Sequence, residues 1–189
     1  MNVKKIITMF AICLLLLSVP LSANAHTVSS TGSENLGYII GTHTPTKTPL
    51  FFWVAGTEQK WKDRFNGGNT YMHNETSYNL KAVNATVWDT SNYVEAYANN
   101  LSTFVAAVYT DKSSGQHKDI WHLSFNPRYD TNYTEAQWKR IAQHELGHVF
   151  GLKDLYETSN SSLLMYGYAG SYSGLKTKDL NGLKLIWGF

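Results

Sequence analysis

The chain has 189 residues, with 16 Lys and Arg against 14 Asp and Glu, and 14% of its residues are aromatic. Lys4 and Lys5 account for the surplus of positive charge, and no basic run remains of the kind that engages nucleic acid or an anionic membrane. The only cysteine, Cys13, falls in a segment expected to be removed, which excludes a disulfide framework in the mature protein.

Lys4 and Lys5 precede an apolar run from Ile6 to Val19, and Ala23-Asn24-Ala25 supplies a small-x-small cleavage pattern. Residues 1–25 therefore read as a secretory signal peptide, with the mature chain starting near His26. The run is short for a membrane anchor, so the product is expected to be secreted and extracellular, of bacterial type, and monomeric.

Residues 26–68 are read as an N-terminal arm or short propeptide, broken by Pro45 and Pro49, with a brief apolar run at Leu50 to Val54. Residues 69–189 are assigned to the catalytic domain. Within it, Thr70 to His73 reads as a short strand, and Leu80, Val83, Val87 and Trp88 predict a helix capped by Thr76 or Ser77. Val94 to Ala98 and Thr103 to Tyr109 suit strands, although Val94, Tyr97, Leu101, Phe104 and Val108 could equally mark a helix, and the alternating Asp119 to Asn126 reads as a strand ended by Pro127. Thr134-Glu135-Ala136-Gln137 is a Thr-x-x-Gln capping box that starts a helix running through His148. At the C-terminus Leu180, Leu183 and Ile186 or Trp187 give one apolar helical face, with Thr177 as N-cap.

The chemistry is concentrated between His144 and Asp154. His144 and His148 are four residues apart, one helical turn, so both imidazoles can reach one zinc ion at about 2.0 to 2.1 Å. Glu145 stands beside the first of them, placed to take a proton from water that the metal has made acidic. Gly151 suits a left-handed helix stop, and the turn it permits swings Asp154 back as the third protein ligand. A structural zinc site normally has four protein ligands; three leave the open position that catalysis requires.

This His-Glu-x-x-His-x-x-Gly-x-x-Asp pattern resembles the metzincin clan of zinc peptidases in its snapalysin-like form, with Asp in the last place. Leu163-Leu164-Met165-Tyr166-Gly167 is similar to the methionine turn beneath the metal in that clan, and Leu175 to Gly188 resembles the closing helix of matrixins. The resemblance implies an α+β, metzincin-type zincin fold: a twisted, mostly parallel sheet, an active-site helix, a Met-turn and a C-terminal helix. It implies one catalytic Zn²⁺ on His144, His148 and Asp154, with Glu145 as catalytic base and protein or peptide as substrate. The strand at 119–126 would border the cleft and pair with that substrate, with Tyr166 and Tyr168 as cleft wall. The Gly-Asp and Phe-Asp-Gly loops that bind structural zinc and calcium in animal matrixins have no counterpart; Ca²⁺ stays open, and His117-Lys118-Asp119 is a candidate second metal site. Without a propeptide cysteine, the matrixin latency switch is excluded. The alternative reading is a secreted zinc-binding interaction or toxin-like module with the same fold and no general proteolytic role.

Overall fold

The computed structural model describes residues 32–98, 103–168 and 173–189. The signal-peptide reading of residues 1–25 lies outside them. Among the described residues no helix is long and apolar enough to cross a membrane.

In chain order the elements are β1 (Gly32–Ser33), β2 (Tyr38–Ile39), β3 (Leu50–Trp53), α1 (Gln59–Glu75), β4 (Val83–Asn84), β5 (Tyr93–Ala96), β6 (Ala106–Ser114), β7 (His117–Phe125), α2 (Glu135–Val149) and α3 (Thr177–Trp187). β1 and β2 form a small antiparallel pair, and the other five strands form one sheet in the order β4-β3-β5-β7-β6. Every pairing in that sheet is parallel except β6 with β7. The mostly parallel sheet, the histidine-bearing helix, the methionine turn and the closing helix thus occur in the expected order.

α1 and α2 pack together over one face of the sheet, onto Phe51, Val94, Trp121, Leu123 and Phe125, which alternate inward along their strands. Trp61 and Trp138 meet edge to face at 5.0 Å, an arrangement that adds about 1 kcal/mol to the burial of their rings. Between them lies the Arg64 guanidinium, 4.5 Å from one ring and 4.9 Å from the other, and its charge is met by Asp130 and Glu135.

Two expectations are corrected in this region. Residues 70–73 are helical, not a strand. The predicted helix over 80–88 is absent; Val83 and Asn84 form an edge strand, and Trp88 is 92% exposed. The α1 helix runs without interruption across residue 68. Its buried residues Trp61, Phe65, Gly68, Asn69 and Met72 do follow helical spacing, but Gly67-Gly68 reads locally as a break. Gly68 is required by packing: a Cβ there would stand 2.6 Å from both the Ala142 methyl and the Lys139 carbonyl oxygen, so only glycine lets α1 and α2 approach so closely.

The N-terminal segment is built into the fold as well. Gly41 N–H donates to the Gly151 carbonyl at 2.7 Å, Thr44 N–H to Val149 at 2.9 Å, and Lys153 N–H to Ile39 at 2.9 Å. β7 lies between β5 and β6 and has no free edge, so the expected substrate-pairing strand is not this one. The sheet's two edge strands are β4 and β6, and β6 is the one that lines the cavity described below.

Candidate metal centre

α2 begins as its sequence predicts. Thr134 Oγ1 accepts Gln137 N–H at 3.3 Å while the Gln137 side chain accepts Thr134 N–H at 2.8 Å, which satisfies two donors the helix itself leaves open. Its far end stops at Gly151, whose φ of +109° is open to glycine. A Cβ at that position would also stand 2.7 Å from both His43 Cβ and Ile186 Cδ1. Beyond the turn, Leu155 N–H donates to the Met165 carbonyl at 2.8 Å and Gly167 N–H to that of Leu155 at 2.9 Å, which holds the segment after Asp154 against the methionine turn.

This path brings His144, His148 and Asp154 together, with one donor atom from each lying within 4.8 Å of the others. Asp154 Oδ1 is 3.1 Å from His144 Nε2 and 3.5 Å from His148 Nε2. Two ligands of a tetrahedral zinc at about 2.05 Å are about 3.3 Å apart, so the spacing fits that ion without rearrangement. The rings are already aimed: His144 Nδ1–H donates to the Leu164 carbonyl at 2.7 Å and His148 Nδ1–H to that of Leu152 at 2.9 Å. A carbonyl can only accept, so each Nδ1 keeps its proton and Nε2 is the nitrogen that turns to a metal once any proton on it is displaced. Two imidazoles and one carboxylate form a borderline-soft donor set that suits Zn²⁺.

The charges respond to this crowding. Burial pushes the Asp154 carboxyl up, but hydrogen bonds from His144 and His148 outweigh it and hold the group far below the carboxylate range. Burial likewise lowers His144, yet Asp154 and Glu145 prevail and raise it to about 9. Glu145 is 6% exposed, and its Oε2 has no hydrogen-bond partner among the described residues. An unbonded carboxylate oxygen costs stability when buried, and this one stands among residues that line a cavity of about 480 Å³ shared with all three potential ligands.

Four residues to which the sequence reading assigned no role at this centre shape it. Asp179, fully buried on α3, accepts Leu164 N–H at 3.2 Å and Met165 N–H at 3.3 Å. Lys176 N–H also donates to Asp179, at 2.8 Å; the N-cap is therefore Lys176 and not the expected Thr177. Lys118 donates from Nζ to the His148 carbonyl at 2.9 Å, and burial lowers it to about 8 despite the nearby Glu145 charge. Tyr156 Oη donates to Asp154 Oδ2 at 3.3 Å, and Glu34 holds the backbone around Tyr156. Tyr156 alone had a legible signal, an aromatic hydroxyl two residues beyond the third ligand.

Met165 packs beneath α2 with its sulfur so close to Gly147 that a Cβ there would collide with it. Tyr166 and Tyr168 line the cavity. His117 and Asp119 do not join a group of three donors: Asp119 accepts from Ser114 Oγ at 2.9 Å, and the His117 ring lies 5.1 Å from that of His43. Among the described residues, His144, His148 and Asp154 are the one such group.

No family profile and no curated protein matches the chain. Among solved structures it is similar to an archaemetzincin from Methanopyrus kandleri, at 10% identity and a TM-score of 0.48, covering 79% of this chain and 98% of that one. It is also similar to high choriolytic enzyme 1, a hatching enzyme zinc-protease from Oryzias latipes (Medaka fish), at 11% identity and a TM-score of 0.48, covering 86% of this chain and 99% of that one.

Proposed function

We propose that this chain is a zinc-dependent endopeptidase of the metzincin type, exported by a signal peptide over residues 1–25 and hydrolysing peptide bonds of extracellular proteins. The observation that carries the reading is the union of a three-donor group, His144, His148 and Asp154, with the unbonded Glu145 oxygen at one cavity. A fully ligated structural site has no use for such a carboxylate.

A zinc ion held by these residues supplies a Lewis acid that acidifies water and polarises a carbonyl. Glu145 takes the proton from the attacking water and passes it to the leaving amine, which restores the carboxylate. Tyr156 keeps the second oxygen of Asp154 occupied, so the third ligand presents Oδ1 alone. Substrate orientation falls to β6: Ala106 to Tyr109 line the cavity on this edge of the sheet, where an extended peptide can add as a further strand through backbone hydrogen bonds. Such bonds are largely indifferent to side chains, which suits an endopeptidase acting on unfolded segments.

The test is hydrolysis of unfolded casein by residues 26–189 beside Glu145→Ala, with zinc content measured in both. Cleavage by the unaltered chain alone, at equal zinc, is expected. Equal zinc with no cleavage by either would replace the peptidase with a zinc-binding module.

A further inference from the structure

Glu34 sits more than a hundred residues from the metal centre in sequence, yet its side chain is spent on the loop that leaves it. Its carboxylate accepts Tyr156 N–H at 2.7 Å, Glu157 N–H at 3.2 Å and Asn160 Nδ2–H at 2.7 Å, and its carbonyl accepts Asn160 Nδ2–H at 2.9 Å. Partial burial opposes the charge on Glu34, but the three donations to its carboxylate prevail, and its pKa lies below the usual carboxylate value. Charge-assisted hydrogen bonds of this kind are about twice as strong as neutral ones. They fix Tyr156 at its backbone, and the Tyr156 phenol donates at its other end to Asp154 Oδ2. Asp154 therefore has a support that begins in the N-terminal segment.

The segment is anchored independently. Glu34 opens a 3-10 turn closed by Gly37 at φ +75°, and the chain then pairs through Ile40 with Leu152, two residues before Asp154. The loop carrying the third ligand is gripped on one side at Leu152 and Lys153 and on the other at Tyr156, Glu157 and Asn160.

We propose that Glu34 is a positioning residue for the metal centre, acting through Tyr156 on Asp154, so that the N-terminal segment is a working part of the site and not a removable propeptide. The proposal rests on the metal reading above. It implies that proteolytic trimming up to residue 33 leaves the centre intact, whereas loss of Glu34 loosens the third ligand.

The experiment uses residues 26–189 with Zn²⁺ and, as a spectroscopic probe, Co²⁺. Zinc affinity is measured by competition with a chelating dye, and cobalt geometry by its visible ligand-field absorption. Glu34→Ala is expected to weaken zinc binding about 10- to 100-fold, the range typical of residues that orient metal ligands, and to shift the cobalt absorption. Tyr156→Phe should weaken it in the same direction, and Glu34→Ala should cost less in the Phe background than in the unaltered chain. Glu34→Gln covers the case in which the alanine variant fails to fold, because its amide turns two donors against each other and should still shift the cobalt absorption. Unchanged zinc affinity and cobalt spectrum in the Glu34 variants would overturn the proposal. So would an equal effect of Glu34→Ala with and without the Tyr156 hydroxyl. A chain that takes up neither ion even when unaltered would remove the metal centre itself, and this proposal with it.

Discussion

The Asp179 carboxylate at the start of α3 accepts the Leu164 N–H at 3.2 Å, and the carbonyl of that same Leu164 accepts the Nδ1–H of His144 at 2.7 Å. The closing helix thus sets the direction of the first potential metal ligand through a single residue. Asp179→Asn keeps the shape but removes the charge and turns a donor toward backbone N–H groups. Zinc affinity should fall about 10- to 100-fold, with a stability loss of about 1 to 3 kcal/mol. Chelator competition and denaturant unfolding check the two effects separately.

Gly147 has no free room for a methyl group, because a Cβ there would collide with the Met165 sulfur. Gly147→Ala favours the helix intrinsically, yet overpacking should dominate and destabilise the fold by about 1 to 3 kcal/mol. Replacing Met165 by Ala opens the contact, so the double variant should lose less than the sum of the two single ones. A thermal-unfolding cycle measures this coupling.

Metal uptake should release protons. Before zinc binds, Asp154 and Glu145 hold a proton on His144 up to about 9, and the metal must displace it. Apparent zinc affinity should then rise about tenfold per pH unit below 9 and flatten above it. Calorimetry in buffers of different ionisation enthalpy should count about one proton from this residue at pH 7.5. In the metal-free chain the sign is opposite. The raised pKa of His144 contributes stability that is full below its ordinary value and is lost as pH rises through about 9, whereas the depressed Asp154 contributes stability lost only on acidification.

Lys118 gives a different pH dependence. Burial lowers its pKa from 10.5 to about 8, so the folded state releases this proton before the unfolded state does. Below pH 8 the buried charge is a constant cost, and between about 8 and 10.5 stability rises with pH because the unfolded chain binds more protons. Relative to Lys118→Met, the unaltered chain should gain about 3 kcal/mol across that window, measured by urea unfolding at each pH. A flat difference would mean that Lys118 is solvated in the folded state.

Local signals in this chain were reliable wherever neighbours in sequence are also neighbours in space. The Thr134 and Gln137 capping box, the turn at Gly151 and the one-turn spacing of His144 and His148 all act within a few residues, and backbone geometry determines them. The same holds for the apolar face of α3. α1 was lost because Gly67-Gly68 is a local breaker whose cost is outweighed by close packing against Ala142, a contact no window of sequence contains. The helix predicted at 80–88 failed for the converse reason: its spacing was helical, but among the described residues nothing covers Val87 and Trp88.

What the sequence by itself determined is the donor inventory and its first-order placement: two imidazoles on one helical face, a carboxylate beside them and another after a glycine turn. Only the tertiary structure decided how those groups are held. Asp179, Lys118, Tyr156 and Glu34 reach the centre from α3, β7, the loop beyond Asp154 and the N-terminal segment. A hydrogen bond is satisfied by any donor the fold delivers to about 3 Å, whatever the separation along the chain, so residue order specifies such partners only after the chain has closed on itself.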